Sequence, residues 1–361
     1  MKKSAIPLLK ALTEAHGAPG SEAAVRAIFC REVSGCGELS FDRMGSTICT
    51  RHGPDGGPTV MVTAHFDEVG FAVQSITRAG FLRLVALGGW PPQNLPAQRV
   101  RILTKSGREI PGVIASTPPH FMPESQRDKL VPLENLLVDV GAGSQEEAVK
   151  GFGIRPGDPV VPFSEFTAKA NPNLFVAKAF DNRVGCGVMI QCVQELNKRK
   201  LPCTLAAVGT VQEEVGCRGA MTAAAAVKPD VAFVLEGTPA DDTPGMDASE
   251  AQGALGKGVQ VRLLDPTAIM HRRLVEFVLK VAEKSRIPHQ VAVRKSGGTD
   301  ARSIQLTEQG VPVVVLGVPT RYIHSHASIL DLRDYLSALK LMLSLLPACD
   351  ASAVRNLHRW V

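Results

Sequence analysis

The 361-residue sequence predicts an α/β fold: a mostly parallel central sheet flanked by helices, with a smaller β-rich domain inserted into it. Three observations carry that prediction. Thr59-Val60-Met61-Val62-Thr63-Ala64 is a largely apolar, β-branched run bounded by Gly56-Gly57-Pro58, which marks a strand buried on both faces. From about Val69 to Pro162 the texture changes to short β-rich runs punctuated by Gly and Pro. After Asn173 strand and helix patterns alternate, and a βαβ succession builds a mostly parallel sheet.

Taken in chain order, Leu8, Leu9 and Leu12, then Ala24, Val25, Ile28 and Phe29, recur at helical spacing on either side of the breaker Gly17-Ala18-Pro19-Gly20. This spacing predicts two opening helices, the second with Ser21 as its cap. The first buried strand then places His65 at its C-terminal end. Within the insertion, runs from Phe71 to Ile76, Phe81 to Leu87, Arg99 to Leu103 and Glu109 to Ala115 read as strands, and Ser144-Gln145-Glu146-Glu147 suggests one capped helix. Beyond it the pattern gives a helix from Arg183 to Asn197, a strand from Thr204 to Val211, a helix near Gly219 to Ala226 and a strand from Val231 to Leu235. A helix from Met270 to Glu283, a strand from Val313 to Leu316 and an amphipathic helix from Leu332 to Leu346 complete the chain. The domain boundaries so read are 1–68 with 166–361 for the larger domain, and 69–165 for the insertion.

Composition narrows the function classes. With 45% apolar residues the chain can bury a substantial core. Its 40 basic and 35 acidic residues are dispersed, and beyond Lys198-Arg199-Lys200 no basic block or basic-aromatic stripe suggests a nucleic-acid partner. The eight cysteines form no C-x-x-C pair and no dense framework, so a reducing cytoplasm is the simplest compartment. The apolar stretch from Ala5 to Leu9 is broken by Lys10 and Glu14, too short for a signal-peptide core, and no run approaches a membrane span.

Five short segments carry the chemistry: AHFDE at 64–68, FDNR at 180–183, QEEVG at 212–216, LEGT at 235–238 and YIHS at 322–325. Two divalent ions ~3.5–4 Å apart need two imidazoles, a bridging carboxylate, two further carboxylates and one unligated base, and these segments offer that inventory. His65 with Asp67 forms a ligand pair in which the carboxylate fixes the imidazole tautomer. Asp181, at the start of a helix, serves equally as an N-cap or as a carboxylate bridging both ions. Glu213 and Glu214 follow an apolar strand, where adjacent carboxylates repel unless a cation neutralises one of them. In the functional reading Glu214 is a ligand and Glu213 the free base. Glu236 and His324 gain their weight from this company, and spacing alone does not separate His324 from His326. His65, the Glu213-Glu214 pair and Glu236 all fall at or just past predicted strand ends, where open α/β sheets gather their ligands.

With these residues in place the chain resembles the tetrahedral (TET) aminopeptidases, a family that includes glutamyl and deblocking aminopeptidases. The matching text is AHFDEVG, AFDNRVG, VQEEVGCRGA, DTPG from Asp242, GGTDA from Gly297 and PTRYIHS, with GVIASTPPH and VDVGAGSQEEA in the insertion. The resemblance implies one ion held by His65, Asp181 and Glu236, the other by Asp181, Glu214 and His324, and Glu213 as general base. It also implies a PDZ-like inserted oligomerisation domain, and twelve subunits in a hollow tetrahedron with a dimer as the building block. One departure stands out: the family more often has Asp where this chain has Glu236, and Glu reaches one methylene further.

The function expected from the ligand set and the resemblance is metal-dependent release of N-terminal residues from short peptides. Zinc is the first expected metal, with cobalt and manganese also suited to a mixed N/O site. Arg321 and Gly298-Thr299-Asp300 of the GGTDA loop are candidates for shaping the substrate pocket, or equally turn and packing residues. Competing readings are a carboxypeptidase or N-acyl amino acid deacylase on the same ions, and a catalytically silent binding particle. A glycosidase built on Glu213-Glu214 would leave His65, Asp181 and His324 without a role.

Overall fold

The computed structural model describes residues 2–126, 129–247 and 249–359. Four adjacent strands form the parallel heart of a twelve-stranded sheet: β1 (Thr59–His65), β2 (Thr204–Thr210), β3 (Val231–Pro239) and β4 (Val313–Arg321), lying side by side in the order β2-β1-β3-β4. Their β-branched and small residues suit a sheet covered on both faces: Val60, Met61, Val62 and Ala64 of β1 and Val313 to Leu316 of β4 are essentially inaccessible to solvent. Antiparallel strands extend both margins, Thr47–Arg51 and Glu38–Phe41 beyond β2, and Ser328–Asp331, Leu174–Ala177 and Thr167–Ala168 beyond β4. Glu38–Phe41 is exposed at all four positions, so it carries no alternating signal for the sequence to show.

Helix α1 (Phe180–Leu196) packs across β1 and β3, and Leu332–Leu345 packs against α1. Two local differences from the expected elements bear on function. First, α1 is irregular at its start: Asp181 (φ −82°, ψ 105°) and Asn182 (φ −123°, ψ 41°) are not helical, and Asp181 makes no capping bond. Second, β3 runs four residues past Leu235, because Gly237, Thr238 and Pro239 continue the ladder opposite Val318, Pro319 and Thr320. Gly237 permits both features, since a Cβ there would lie 2.7 Å from Asp181 Cα and 2.8 Å from the Phe180 carbonyl oxygen.

The second opening helix (Ala23–Glu32) begins from Glu22 rather than from Ser21. Glu22 Oε1 accepts instead from the Gly20 and Gln212 amides, tying the N-terminus to the loop after β2. The inserted β-rich segment is a closed barrel of six strands, in the order Gly70–Ile76, Leu82–Leu87, Leu137–Asp139, Glu109–Ile114, Arg99–Leu103 and Pro159–Pro162. It has its own core, including Phe71, Leu82, Ile102 and Val138, and closure leaves its strands no free edge. Ser144 does accept from the Glu147 amide as expected, but the turn it opens is a single π-helical one, Glu147–Gly151. All eight cysteines are free, and among the described residues no single helix is long and apolar enough to cross a membrane.

Candidate metal centre

Parallel strands present their C-terminal ends along one rim of the sheet, and the singled-out residues gather there. His65 is the last residue of β1, Glu213 and Glu214 come after β2 through a left-handed Gln212 (φ 57°), Glu236 lies within β3, and His324 (φ 56°) sits in the loop after β4. Left-handed non-glycine residues are costly, and Ala179, Gln212, Cys217, Tyr322 and His324 concentrate five of them around this one rim.

The His65 ring is buried. Its Nδ1 faces the Asp67 carbonyl oxygen at 3.1 Å and Asp67 Oδ1 at 3.5 Å. A carbonyl only accepts, so Nδ1 carries a proton, and Nε2 is the ring atom turned toward the acids. Nε2 lies 3.2 Å from Asp181 Oδ1, 3.3 Å from Glu236 Oε1 and 3.8 Å from Glu213 Oε2. His324 repeats the arrangement from the other side: Nδ1 is 2.7 Å from the Gly89 carbonyl oxygen, and Nε2 is 3.5 Å from both Asp181 Oδ2 and Glu214 Oε2. The two imidazoles therefore address opposite oxygens of one carboxylate, Asp181. The alternative histidine, His326, is buried with its ring tilted against Trp90, and burial lowers its pKa to about 4.

Asp67 does more than the sequence suggested. Its fully buried carboxylate accepts the Glu213 amide on one oxygen and the Glu214 amide on the other, each at 3.0 Å. It thus locks the Glu213-Glu214 turn to the His65 strand end. Next to it Glu68 accepts two bonds from Lys178 (2.6 and 2.8 Å) and one from Arg183 (3.1 Å), all three side chains being buried. Glu68 and Arg183, in the AHFDEVG and AFDNRVG segments, are ties between the His65 and Asp181 loops.

The residues fit divalent cations. Ligand atoms ~2.0–2.2 Å from a tetrahedral ion lie roughly 3.3–3.6 Å from one another, and the imidazole–carboxylate separations above fall in or next to that range. Glu214 Oε1 and Glu236 Oε2 are buried with no hydrogen-bond partner, a costly condition for a carboxylate that a cation relieves. Burial pushes Glu214 up to about 8 and Glu236 up to about 7, while burial of His324 is outweighed by Asp181 and Glu214, which lift it to about 9. Protons and divalent cations thus compete for the same atoms.

A cavity of about 390 Å³ opens from these side chains. Its floor carries Asp181, Glu213, Glu214 and Glu236, and its walls carry Arg262, Arg294 and Arg302 with the Ser296–Thr299 stretch. Gly298 and Thr299 therefore line it. Asp300 is buried behind the wall, hydrogen-bonded through Oδ2 to Thr210 Oγ1 at 2.5 Å. Arg321 is turned away and clamps Asp242 through two 2.7 Å bonds. The three arginines, Cys217 and the Gly89 carbonyl escaped the sequence reading. A buried arginine in the strand Val259–Asp265, between Val261 and Leu263, was the one legible signal among them.

Among known protein families, the profile of the M42 glutamyl aminopeptidases matches residues 45–341. The chain is 35% identical to a glutamyl aminopeptidase of Lactococcus lactis over 354 residues, covering 98% of each chain. Among solved structures it is similar to the TET aminopeptidase of a marine-sediment Thaumarchaeota archaeon, with 39% identity, 99% of each chain covered and a TM-score of 0.95. It is also similar to the Pyrococcus horikoshii TET1 peptidase, which can assemble into a tetrahedron or a large octahedral shell, with 31% identity, 95% and 99% of the two chains covered and a TM-score of 0.85.

Proposed function

The chain belongs to the M42 glutamyl aminopeptidase family, and from that membership we propose that it releases N-terminal residues from short peptides with two divalent ions and Glu213 as general base. One observation carries the reading: the Asp181 carboxylate faces His65 with one oxygen and His324 with the other. His65, Asp181 and Glu236 would hold one ion, and Asp181, Glu214 and His324 the second, with zinc the first candidate. When bound, such ions supply Lewis acidity, polarising the scissile carbonyl and lowering the pKa of water at the site.

The remaining steps fall to the protein. Glu213 takes the proton of the attacking water on Oε2, the oxygen facing His65, and returns it to the leaving amine. Asp67 holds Glu213 at the turn through its backbone amide, so the base is positioned without occupying its own carboxylate. With Asp181, Glu214 and Glu236 holding the ions, the ions and the Glu213 carboxylate would meet a free α-amine, a group that an acylated or internal residue lacks. A short peptide with a free N-terminus is therefore expected to lose residues stepwise while its N-acetylated twin is untouched, assayed on protein reloaded with zinc or cobalt. Cleavage of the acetylated peptide at its C-terminus or acyl bond would move the function to a carboxypeptidase or deacylase.

The cavity walls favour an acidic first residue. Arg262 is answered by Asp265 at 3.1 Å and Arg294 by Asp241 at 2.8 Å, whereas exposed Arg302 has no side-chain partner among the described residues. A peptide side chain that brings a carboxylate completes that pairing. Arg302→Glu is expected to lower kcat/KM for a Glu-initiated peptide by roughly 10-fold and to improve a Lys-initiated one, since a charge contact near the surface contributes ~1 kcal/mol or more. An unchanged ratio of the two kcat/KM values would remove Arg302 from specificity. Assembly into a dodecamer through the inserted domain, and a cytoplasmic location, complete the proposal; the twelve-subunit state is supported by the likeness to the PhTET1 dodecamer.

A further inference from the structure

Beside the proposed pair of ions lies a second cluster of possible ligands. Glu213, Cys217 and Asp300 each offer one atom, all within 4.8 Å of one another, with Cys217 Sγ 3.3 Å from Glu213 Oε1. Glu213 faces both ways: Oε2 points at His65 and the first cluster, Oε1 at the thiol. Asp300 is 1% exposed, and while Oδ2 is bonded to Thr210, Oδ1 is buried with no partner. An unpaired buried carboxylate oxygen is expensive, and this one belongs to the group that converges on the thiol.

The cluster is also built rather than incidental. Cys217 sits in the left-handed region (φ 52°), its amide donates to the Glu213 carbonyl at 2.8 Å, and its own carbonyl accepts Ser303 Oγ at 3.0 Å. Bond lengths of ~2.3 Å to sulfur and ~2.0–2.2 Å to oxygen put the two donors of a tetrahedral ion roughly 3.5 Å apart, near the sulfur–oxygen separation found.

We propose that Glu213, Cys217 and Asp300 form a third, inhibitory cation site, selective for thiophilic divalent ions such as zinc and cadmium, that removes the general base from use. The thiolate donor selects such ions over magnesium or calcium, for which carboxylates alone would serve. Binding releases the thiol proton to solvent, because a coordinating thiol is deprotonated. An ion on Oε1 occupies the carboxylate that has to accept a proton, yet leaves His65, Asp181, Glu214, Glu236 and His324 free for the other two. The inhibition rests on the reading of Glu213 as the base, whereas the binding does not.

The test is a cadmium titration of protein already loaded with two equivalents of zinc. One further equivalent is expected to bind, with a thiolate-to-cadmium absorption band growing in step and peptide turnover falling in step. Cys217→Ser should abolish the band and weaken the inhibition by at least ~10-fold. Asp300→Asn, which keeps the thiol, should keep the band but require roughly 10-fold more cadmium, and it serves if Cys217→Ser does not fold. Absence of a thiolate band, its persistence in Cys217→Ser, or inhibition unaltered by both substitutions overturns the proposal. Two-zinc protein that cleaves neither free nor acetylated peptides before cadmium is added would instead overturn the proposed function, and the absorption band would still decide the site.

Discussion

Glu213→Gln is expected to lower kcat by roughly 10²–10⁴ while divalent-ion content per chain stays near wild type. The amide keeps the shape of the side chain and removes only its ability to take a proton. The backbone that holds Glu213 is untouched, because Asp67 grips its amide nitrogen and not its carboxylate. Burial, together with the charges of Glu214, Glu236 and Asp300, pushes the Glu213 carboxyl well above the usual range, with His65 opposing. Such a carboxylate is a stronger base than an exposed one, and bound ions would lower its pKa again. Steady-state kinetics alongside metal analysis by mass spectrometry separate the possibilities. Near-normal turnover would take Glu213 out of the mechanism, and a parallel loss of metal would make it a ligand.

The second large effect belongs to Asp181. Asp181→Ala should cost both ions together and reduce kcat/KM by at least ~10³-fold, since several kcal/mol of charge stabilisation depends on them. The reason is geometric: Oδ1 faces His65 and Oδ2 faces His324, so one truncation takes a donor from each set. The fold has little stake in the side chain, which makes no capping bond, while Gly237 packs against the backbone that alanine retains. Metal content measured after gel filtration is the direct readout. Two ions retained with wild-type affinity would show that Asp181 does not bridge them.

Much of this site could be read before any coordinates, for a chemical reason. Metal ligands and bases come from a short list of side chains, so AHFDE, FDNR, QEEVG, LEGT and YIHS declare themselves by residue type. Buried parallel strands are equally plain, being apolar and β-branched, and their ends located the candidate ligands approximately. Glu236 shows the limit: the apolar run stops at Leu235, yet β3 continues to Pro239 because β4 supplies the ladder.

The sequence by itself determined the fold class, the β-rich insertion, the inventory of candidate ligands and the family, because each is written in residue identity and periodicity. Tertiary structure alone decided which histidine faces the acids, since His324 and His326 differ only in what surrounds them. It also decided that Gly89 of the insertion faces His324, that Arg321 serves Asp242 rather than the cavity, that Arg302 lines that cavity, and that Cys217 and Asp300 stand near the base. Those relations join residues up to 235 positions apart, and they depend on close packing, which no local pattern records.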